Sequence, residues 1–423
     1  MAIVDLPYGK THMKATIPYE YEKVSISEAE LSYTSEEEVW RAIQNPIGTS
    51  WGKFEGAKNV VIATSDATRP VPNHIIIPLI AKKLAEYGIT KDQITILIGT
   101  GLHRISPPEE FPQILGEEVA RDFKVISHDC DDEENLVQIG TTSRGTPVVL
   151  NRYYVEADAK IALGVLDPHQ FAGFAGGAKG IAIGLGGTAL VNHNHSMLIH
   201  PKASLANLEG NPVREDIDEI GGMARLDFIV NVVLNSRKEV VKAVSGHYIE
   251  AHRAGVKHAQ EILQVPVDKP ADLVIAASGG FPKDLNLYQA QKGLLHASVA
   301  VKEGGTIILA AECEEGIGST KFENTMKLGD TADEVIEEFS KLPFFVGGHK
   351  ALLWCRSLQK ARVILISDGI TVEQAELMKI EKASSIEEAI EMCKDSLPVN
   401  PVVACIPKAP STVPLVREPV LVG

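Results

Sequence analysis

The sequence predicts an α/β protein of two domains, each a mostly parallel sheet flanked by helices. Three observations lead there. Strand-like apolar runs alternate with amphipathic helical segments through the middle of the chain, the stretch VPVDKP at 265–270 interrupts them, and beyond it the same alternation starts again. Such alternation implies parallel strands buried on both faces, because the crossover helices cover them. A length of 423 residues agrees, since a single core seldom serves more than about 250–300 residues. The expected division is 1–267 for an amino-terminal domain and 268–397 for a carboxy-terminal one, with the tail 398–423 free to return to the first.

Taken in order, 59–65 (NVVIATS) reads as a buried strand and 75–87 (IIIPLIAKKLAEY) as a helix that tolerates Pro78 in its first turn. Strands follow at 94–98, 124–128 and 160–165. Segments 228–234 and 239–244 read as two strands joined by a polar turn at 235–237, and 248–263 as an amphipathic helix. After the boundary come strand 273–277, helix 287–301, strand 306–310, helix 332–339, strand 363–367, helix 386–396 and strand 402–406. No repeat or low-complexity segment interrupts this order.

Composition narrows the function classes. Hydrophobic residues at 44% and charged residues at 23% are the proportions of a soluble globular chain. A formal net charge of −15 argues against nucleic acid or an anionic membrane as the partner, although a few local cations suffice for a small anion. Cys130, Cys313, Cys355, Cys393 and Cys405 are widely spaced and form no CxxC pair, which predicts reduced thiols in a cytoplasmic protein rather than a zinc ribbon. The opening MAIVDLPYGKTHMK lacks the apolar run of a signal peptide, and no stretch approaches the roughly 18 apolar residues of a membrane span.

Unusual residues collect just past expected strand ends: Ser65-Asp66-Ala67-Thr68-Arg69-Pro70, Gly99-Thr100-Gly101-Leu102-His103-Arg104, Asp167-Pro168-His169 and Ser278-Gly279-Gly280. Open parallel sheets bind ligands beyond the carboxyl ends of their strands. The run Phe171-Ala-Gly-Phe-Ala-Gly-Gly-Ala-Lys179-Gly is the most informative segment. Its Gly176 and Gly177 would let backbone N–H groups approach an anion, and Lys179 would touch a phosphate or form a covalent bond. Neither a Walker A loop nor a GxGxxG fingerprint is present, and the same Gly and Ala residues would equally let a backbone pass through a crowded core. His193 and His195 form an HxH pair, read either as metal ligands or as surface and capping groups. His103 and His169 stand where an acid or base is useful, or where a histidine is simply hydrogen-bonded. Arg69 suits a carboxylate or a loop aspartate. Asp66 would orient Arg69 or contact a ribose. Tyr288, Gln289 and Lys292 fall within about one turn of a helix, as a shared site or a solvated face.

The blocks DLPYGK, SDATRPVPNHII, GTGLHR, HQFAGFAGGAKG, SGGFPKDLNLYQAQKG and VKEGGTII, in this order over nearly the whole chain, resemble the lactate racemase family. The resemblance implies two α/β domains with the active site in the cleft between them. It implies a racemase or epimerase of a small 2-hydroxy acid that works by hydride abstraction to a nickel-pincer nucleotide, Ni(II) pyridinium-3,5-bisthiocarboxylic acid mononucleotide. By that likeness Lys179 is the tether, His195 the nickel ligand, and His103 and His169 the acid/base pair. Arg69 and Lys292 hold the substrate carboxylate, with Gln289 and Tyr288 beside them. Asp66, Thr68, Gly176 and Gly177 belong to the cofactor or substrate surroundings. Cofactor-making proteins are implied for maturation, and a homo-oligomer is compatible. Lactate-active members tend to carry Ser and Arg where this chain has Ala175 and Ala178, which leaves the implied substrate as lactate or a related 2-hydroxy acid. The competing readings are a metal-dependent α/β enzyme of another class and a protein that only binds a carboxylate or nucleotide. Joint presence of His103, His169, Lys179 and His195 argues against the second, which needs affinity alone.

Overall fold

Two six-stranded sheets carry the fold in the computed structural model, which describes residues 1–26, 31–235 and 237–417. They belong to separate units, a continuous one, Glu28–Glu261, and a split one made of Met1–Ser27 with Ile262–Gly423.

In the continuous unit the strand order is Val240–Gly246, Phe228–Leu234, Ala159–Val165, Val60–Ser65, Ile94–Gly99, Lys124–Ser127. All neighbours are parallel except the edge strand Val240–Gly246, which returns antiparallel to Phe228–Leu234. Of the turn joining those two, Ser236 lies outside the described residues; Asn235 Oδ1 accepts from the backbone N–H groups of Arg237 and Glu239, 3.0 Å each. Every residue of Ala159–Val165 is buried, Lys160 included, as a strand in a doubly covered sheet requires. The chain builds outward from Val60–Ser65 on one side and then crosses to its other side at Ala159–Val165. The order therefore reverses between these two strands, and a crevice opens past their carboxyl ends. Ser65 and Val165 end there, which places Asp66, Thr68, Arg69 and the 167–169 turn by topology alone. Trp51, Phe54 and Phe228 close the opposite part of this core, with ring centroids 4.1–5.9 Å apart.

The helix expected at 75–87 is Asn73–Ala85. It starts two residues earlier, so Pro78 sits inside it rather than in its first turn. The missing N–H leaves the carbonyl of His74 without its helical donor, a cost met by burying Ile76, Ile77, Leu79 and Ile80.

The split unit corrects the expected domain boundaries. Its sheet is parallel throughout, in the order Glu381–Ala383, Ala361–Ile366, Val301–Ala310, Ala271–Ala277, Val403–Ile406, Glu22–Lys23. Residues 1–26 thus lie with the carboxy-terminal part of the chain, not with the amino-terminal domain expected as 1–267. The cause is a hairpin, Ala2–Tyr8 with Thr11–Ile17, whose alternate residues Val4, Leu6, Tyr8 and Ile17 are buried against Leu273, Ile275, Ile308 and Val403. The tail does not return to the first domain. Val403–Ile406 pairs with Ala271–Ala277, and Val413–Val416 with Gln264–Val267, so the Pro-containing stretch at the expected boundary begins as an edge strand that accommodates Pro266. Residues 418–423 of that tail lie outside the described residues. No helix among the described residues is long and apolar enough to cross a membrane, and all five cysteines are free.

Candidate active site

At the end of Val60–Ser65 the buried carboxylate of Asp66 accepts three hydrogen bonds: from Thr68 N (3.1 Å), Thr68 Oγ1 (2.5 Å) and His103 Nδ1 (2.7 Å). Burial raises the cost of its charge most, yet the bonds from His103 and Thr68 together hold it below the usual carboxylate range. An ionised carboxylate only accepts, so Nδ1 of His103 carries hydrogen, and neutral His103 presents a lone pair at Nε2. Its side chain is 59% exposed. Asp66 thus pairs with His103, not with Arg69, whose guanidinium meets no carboxylate among the described residues.

The turn after Ala159–Val165 pairs Pro168–His169 with Gly173–Phe174. His169 Nδ1 accepts from Ala172 N at 3.2 Å, so neutral His169 carries its hydrogen on Nε2. Burial first, then the charges of Lys179 and Arg69, push this imidazole well below its ordinary pKa. The two candidate acid/base histidines are therefore fixed in opposite tautomers. Phe171 links His169 to His195, with edge contacts at 4.7 and 4.9 Å between ring centroids.

Lys179 is 8% exposed and makes no ion pair with a carboxylate among the described residues. Burial, then Arg69 and Arg214, hold its amine well below the ordinary lysine value. A buried ammonium near two guanidinium groups sheds its proton rather than carry an uncompensated charge.

The loop before Lys179 is held from behind by residues the sequence reading missed. Asn211 Nδ2 donates to Phe171 O (2.8 Å), and His252 Nε2 to Ala175 O (2.9 Å). The fully buried Arg214 donates to the carbonyls of Ala172 (3.3 Å), Gly176 (3.4 Å) and Phe174. Gly176 and Gly177 have φ of 77° and 61°, and a Cβ on them would meet Asn231 Oδ1 at 2.7 Å and His252 at 3.0 Å. Gly177 N already donates to Asn231 Oδ1 at 2.8 Å. Packing thus accounts for both glycines, the crowded-core alternative of the sequence reading. Ala178 is fully buried, and a Cβ placed on Gly221 would come within 2.6 Å of its own Cβ. The backbones approach too closely for a long side chain at 178, which gives the departure from the family pattern a local cause. The segment NPVRED at 211–216 does carry a helix-start signal, Asn before Pro, and Asn211 caps Pro212–Met223; its reach back to the loop is tertiary and has no local signature. We expect Arg214→Met to lower stability by about 3–5 kcal/mol, as removal of a buried hydrogen-bonded charge does. A melting temperature within 2–4 °C of the parent, roughly 1 kcal/mol for a unit of this size, would contradict that role.

His193 and His195 lie on the helix Thr188–Ser196. Two residues apart, they face different ways. His193 Nδ1 meets Thr146 Oγ1 at 2.9 Å, whereas His195 meets Phe171 and, through Nδ1, Asn194 Oδ1 at 3.0 Å. The pair does not chelate one ion. Among the described residues the one grouping of three His, Cys or acidic ligand atoms is Asp129, Cys130 and Asp131, which excludes His195. His195 suits a metal that brings its other donors with it, and buried Lys179 suits an amide-type linkage; the residues present fit the tethered pincer group.

Tyr288, Gln289 and Lys292 belong to the split unit, on the helix Leu287–Ala300 capped by Asn286. Lys292 Nζ donates to Gln289 Oε1 at 2.9 Å, so these two do meet within one turn. Tyr288 packs edge-on to Phe322 at 6.2 Å with Lys350 Nζ over its ring at 5.2 Å.

Oriented imidazoles and a buried amine at the reversal point of a parallel sheet are the equipment of an α/β enzyme acting on a small anionic molecule. The chain belongs to the lactate racemase family, a family of isomerases. The Lactate racemase N-terminal domain matches residues 8–206 and the Lactate racemase C-terminal domain residues 267–413. The lactate racemase of Thermoanaerobacterium thermosaccharolyticum is 34% identical over 99% of this chain and 100% of its own, and that of Lactiplantibacillus plantarum 34% identical over 92% and 94%. The structure of the T. thermosaccharolyticum lactate racemase apoprotein superimposes with a TM-score of 0.91 at 33% identity, covering 99% of this chain and 100% of that one. A Thermotoga maritima protein at 16% identity and TM-score 0.64, covering 90% and 97%, shares the fold alone.

Proposed function

We propose that the protein racemises or epimerises a small 2-hydroxy acid, lactate being the first candidate, with a nickel-pincer nucleotide attached at Lys179. The observation that carries this reading is the buried, partner-poor Lys179 amine, held neutral where a covalent bond to a carbonyl-type carbon needs a nucleophile. When bound, the group would supply an acceptor and donor for the substrate's α-hydrogen as hydride. His195 would be the protein's ligand to its nickel.

The chain's own residues would do the rest. With one enantiomer, neutral His103 takes the hydroxyl proton at Nε2, and Asp66 steadies the imidazolium that forms. For return to the opposite face His169 is the second acid/base group; it must first gain a proton and act as the imidazolium, giving up the Nε2 proton and being left neutral with a lone pair there, and on the reverse path the two exchange roles. A racemase needs both, because mirror-image substrates present their hydroxyls in different directions. Arg69 supplies a bidentate partner for the carboxylate. Lys292, Gln289 and Tyr288 enter the reading as carboxylate and pocket groups on the family resemblance alone. Maturation would require the proteins that make the cofactor.

The test is to co-produce the chain with those proteins and follow each enantiomer of lactate, and of larger 2-hydroxy acids, by chiral separation. We expect both enantiomers of at least one acid to reach the same equal mixture. A chain that carries the adduct yet interconverts none of them would sink the reading.

A further inference from the structure

Behind the helix that carries both histidines lies a charged group with no part in the reaction just described. Asp216 is fully buried and meets no Lys or Arg ion-pair partner among the described residues. Its carboxylate accepts instead from Thr142 Oγ1 (2.6 Å), from Thr146 Oγ1 (2.9 and 3.0 Å to its two oxygens) and from Asn194 Nδ2 (2.8 Å). A bare carboxylate this deep is costly, and an apolar residue would serve packing better.

The donors and acceptors can be assigned one by one. Asn194 Nδ2 also donates to Val213 O at 3.2 Å. Both its partners are pure acceptors, so the amide orientation is forced and Oδ1 must face His195. That oxygen accepts from His195 Nδ1, which therefore carries hydrogen, and the lone pair of neutral His195 is on Nε2. Thr146 spends its single hydroxyl hydrogen on Asp216, so its oxygen accepts from His193 Nδ1. One buried carboxylate thus orients both imidazoles, His195 through an amide and His193 through a hydroxyl.

We infer that Asn194 and Asp216 are positioning residues that fix the Nδ1–H tautomer of His195 and strengthen Nε2 as a metal donor. A metal-bound histidine commonly donates its other N–H to a carboxylate or carbonyl, which fixes the ring and raises its basicity. Here an amide stands between, and its N–H groups, drawn toward Asp216, enrich the oxygen that faces the imidazole. The inference about nickel rests on the proposed function; the tautomer does not.

Long-range proton–nitrogen correlation on the full-length, 15N-labelled protein at alkaline pH reads the tautomer directly, with the His195 signals identified by their loss in His195→Gln. We expect protonated Nδ1 in the parent, a shift toward protonated Nε2 in Asn194→Leu, and in Asp216→Asn the parent tautomer with an Nδ1 proton resonance moved upfield. Protonated Nε2 in the parent, or parent-like signals in both variants, overturns the assignment. If Asn194→Leu does not fold, the shift in Asp216→Asn decides alone. In protein loaded with the cofactor, both variants should keep the Lys179 adduct by intact mass while losing nickel to a chelator about 10–100-fold more readily; equal retention overturns the donor role. Absence of the adduct in the parent would instead count against the proposed function and leave the tautomer result standing.

Discussion

Lys179→Met gives a chain with no covalent adduct, no nickel held at His195 and racemisation at the buffer background, yet with a melting temperature above that of the unloaded parent. The combination follows from the environment of the amine. Burial and the nearby guanidinium groups of Arg69 and Arg214 make the charged lysine unfavourable, and no carboxylate repays that cost among the described residues. Methionine fills nearly the same volume without a polar end, and removing an amine that must give up its proton to stay buried stabilises by about 1 kcal/mol or more. That amounts to roughly 2–4 °C for a unit of this size. Lys179→Arg separates the two effects: it also prevents the adduct, but it carries a permanent third guanidinium into the same place and should melt below the parent. Intact-mass analysis, nickel determination and thermal melts on the three proteins check all of this. Activity surviving in Lys179→Met, or an adduct found on another residue, would remove the tether from Lys179. A parent more stable than Lys179→Met would mean that the amine has a stabilising partner after all. Gain of stability with loss of function is the signature of a residue kept for chemistry.

The parts legible in the sequence and the parts that were not divide along a physical line. Residues 94–98, 160–165 and 228–234 read correctly because a doubly buried strand is a predominantly apolar run, broken here by Thr95, Lys160 and Asn231 alone, a signal contained within seven residues. The polar clusters at 65–70 and 167–169 were visible for the same reason, since strands that end on Asp, Thr, Arg or His break their own pattern. The reversal of strand order that brings those clusters side by side is not written locally, because nothing in 159–165 states which face of 60–65 it will join. Asn211, Arg214, Asn231 and His252 were missed likewise; they meet the loop from 38 to 77 residues away along the chain. The amino-terminal hairpin was misassigned although its alternation is plain. Periodicity says that one face is buried, not against what, and here the burying surface is contributed by residues past 270. Gly177 shows the converse: a glycine-rich motif signals close approach, but the atoms approached are Asn231 and His252 of the chain itself.

Acid should begin to destabilise the protein steeply just below pH 6.5, and buried histidines are the cause. His128, His169 and His252 in the continuous unit are each pushed below their ordinary pKa, by burial first. In the split unit burial pushes His296 to about 4 and His349 to about 3. These pKa values are depressed in the folded state, so the unfolded chain takes up protons first. The stability they permit is complete above the unfolded value of about 6.5 and is lost as pH falls toward the folded values. Each such group costs about 1.4 kcal/mol per pH unit within that interval. The two of the split unit together remove about 3 kcal/mol per pH unit, and the three of the continuous unit add to the same fall. Against a typical stability of about 5–15 kcal/mol this is a large share: the two of the split unit alone remove about 8 kcal/mol over the interval down to their folded values. The carboxylates held low by their partners, Asp66 and Asp272 among them, add their loss only below about pH 4, the ordinary aspartate value. Denaturant titrations from pH 8 to 5 should therefore show a fall that steepens beneath 6.5, added to the gentler slope that the depressed Lys179 amine contributes over the whole range. His349→Gln, whose side-chain oxygen still accepts from Gly347 N as Nδ1 does at 3.1 Å, should remove one histidine's share of that slope. A slope unchanged by this substitution would show that His349 already reaches water in the folded state. Stability independent of pH between 7 and 5 would dismiss the mechanism for all five.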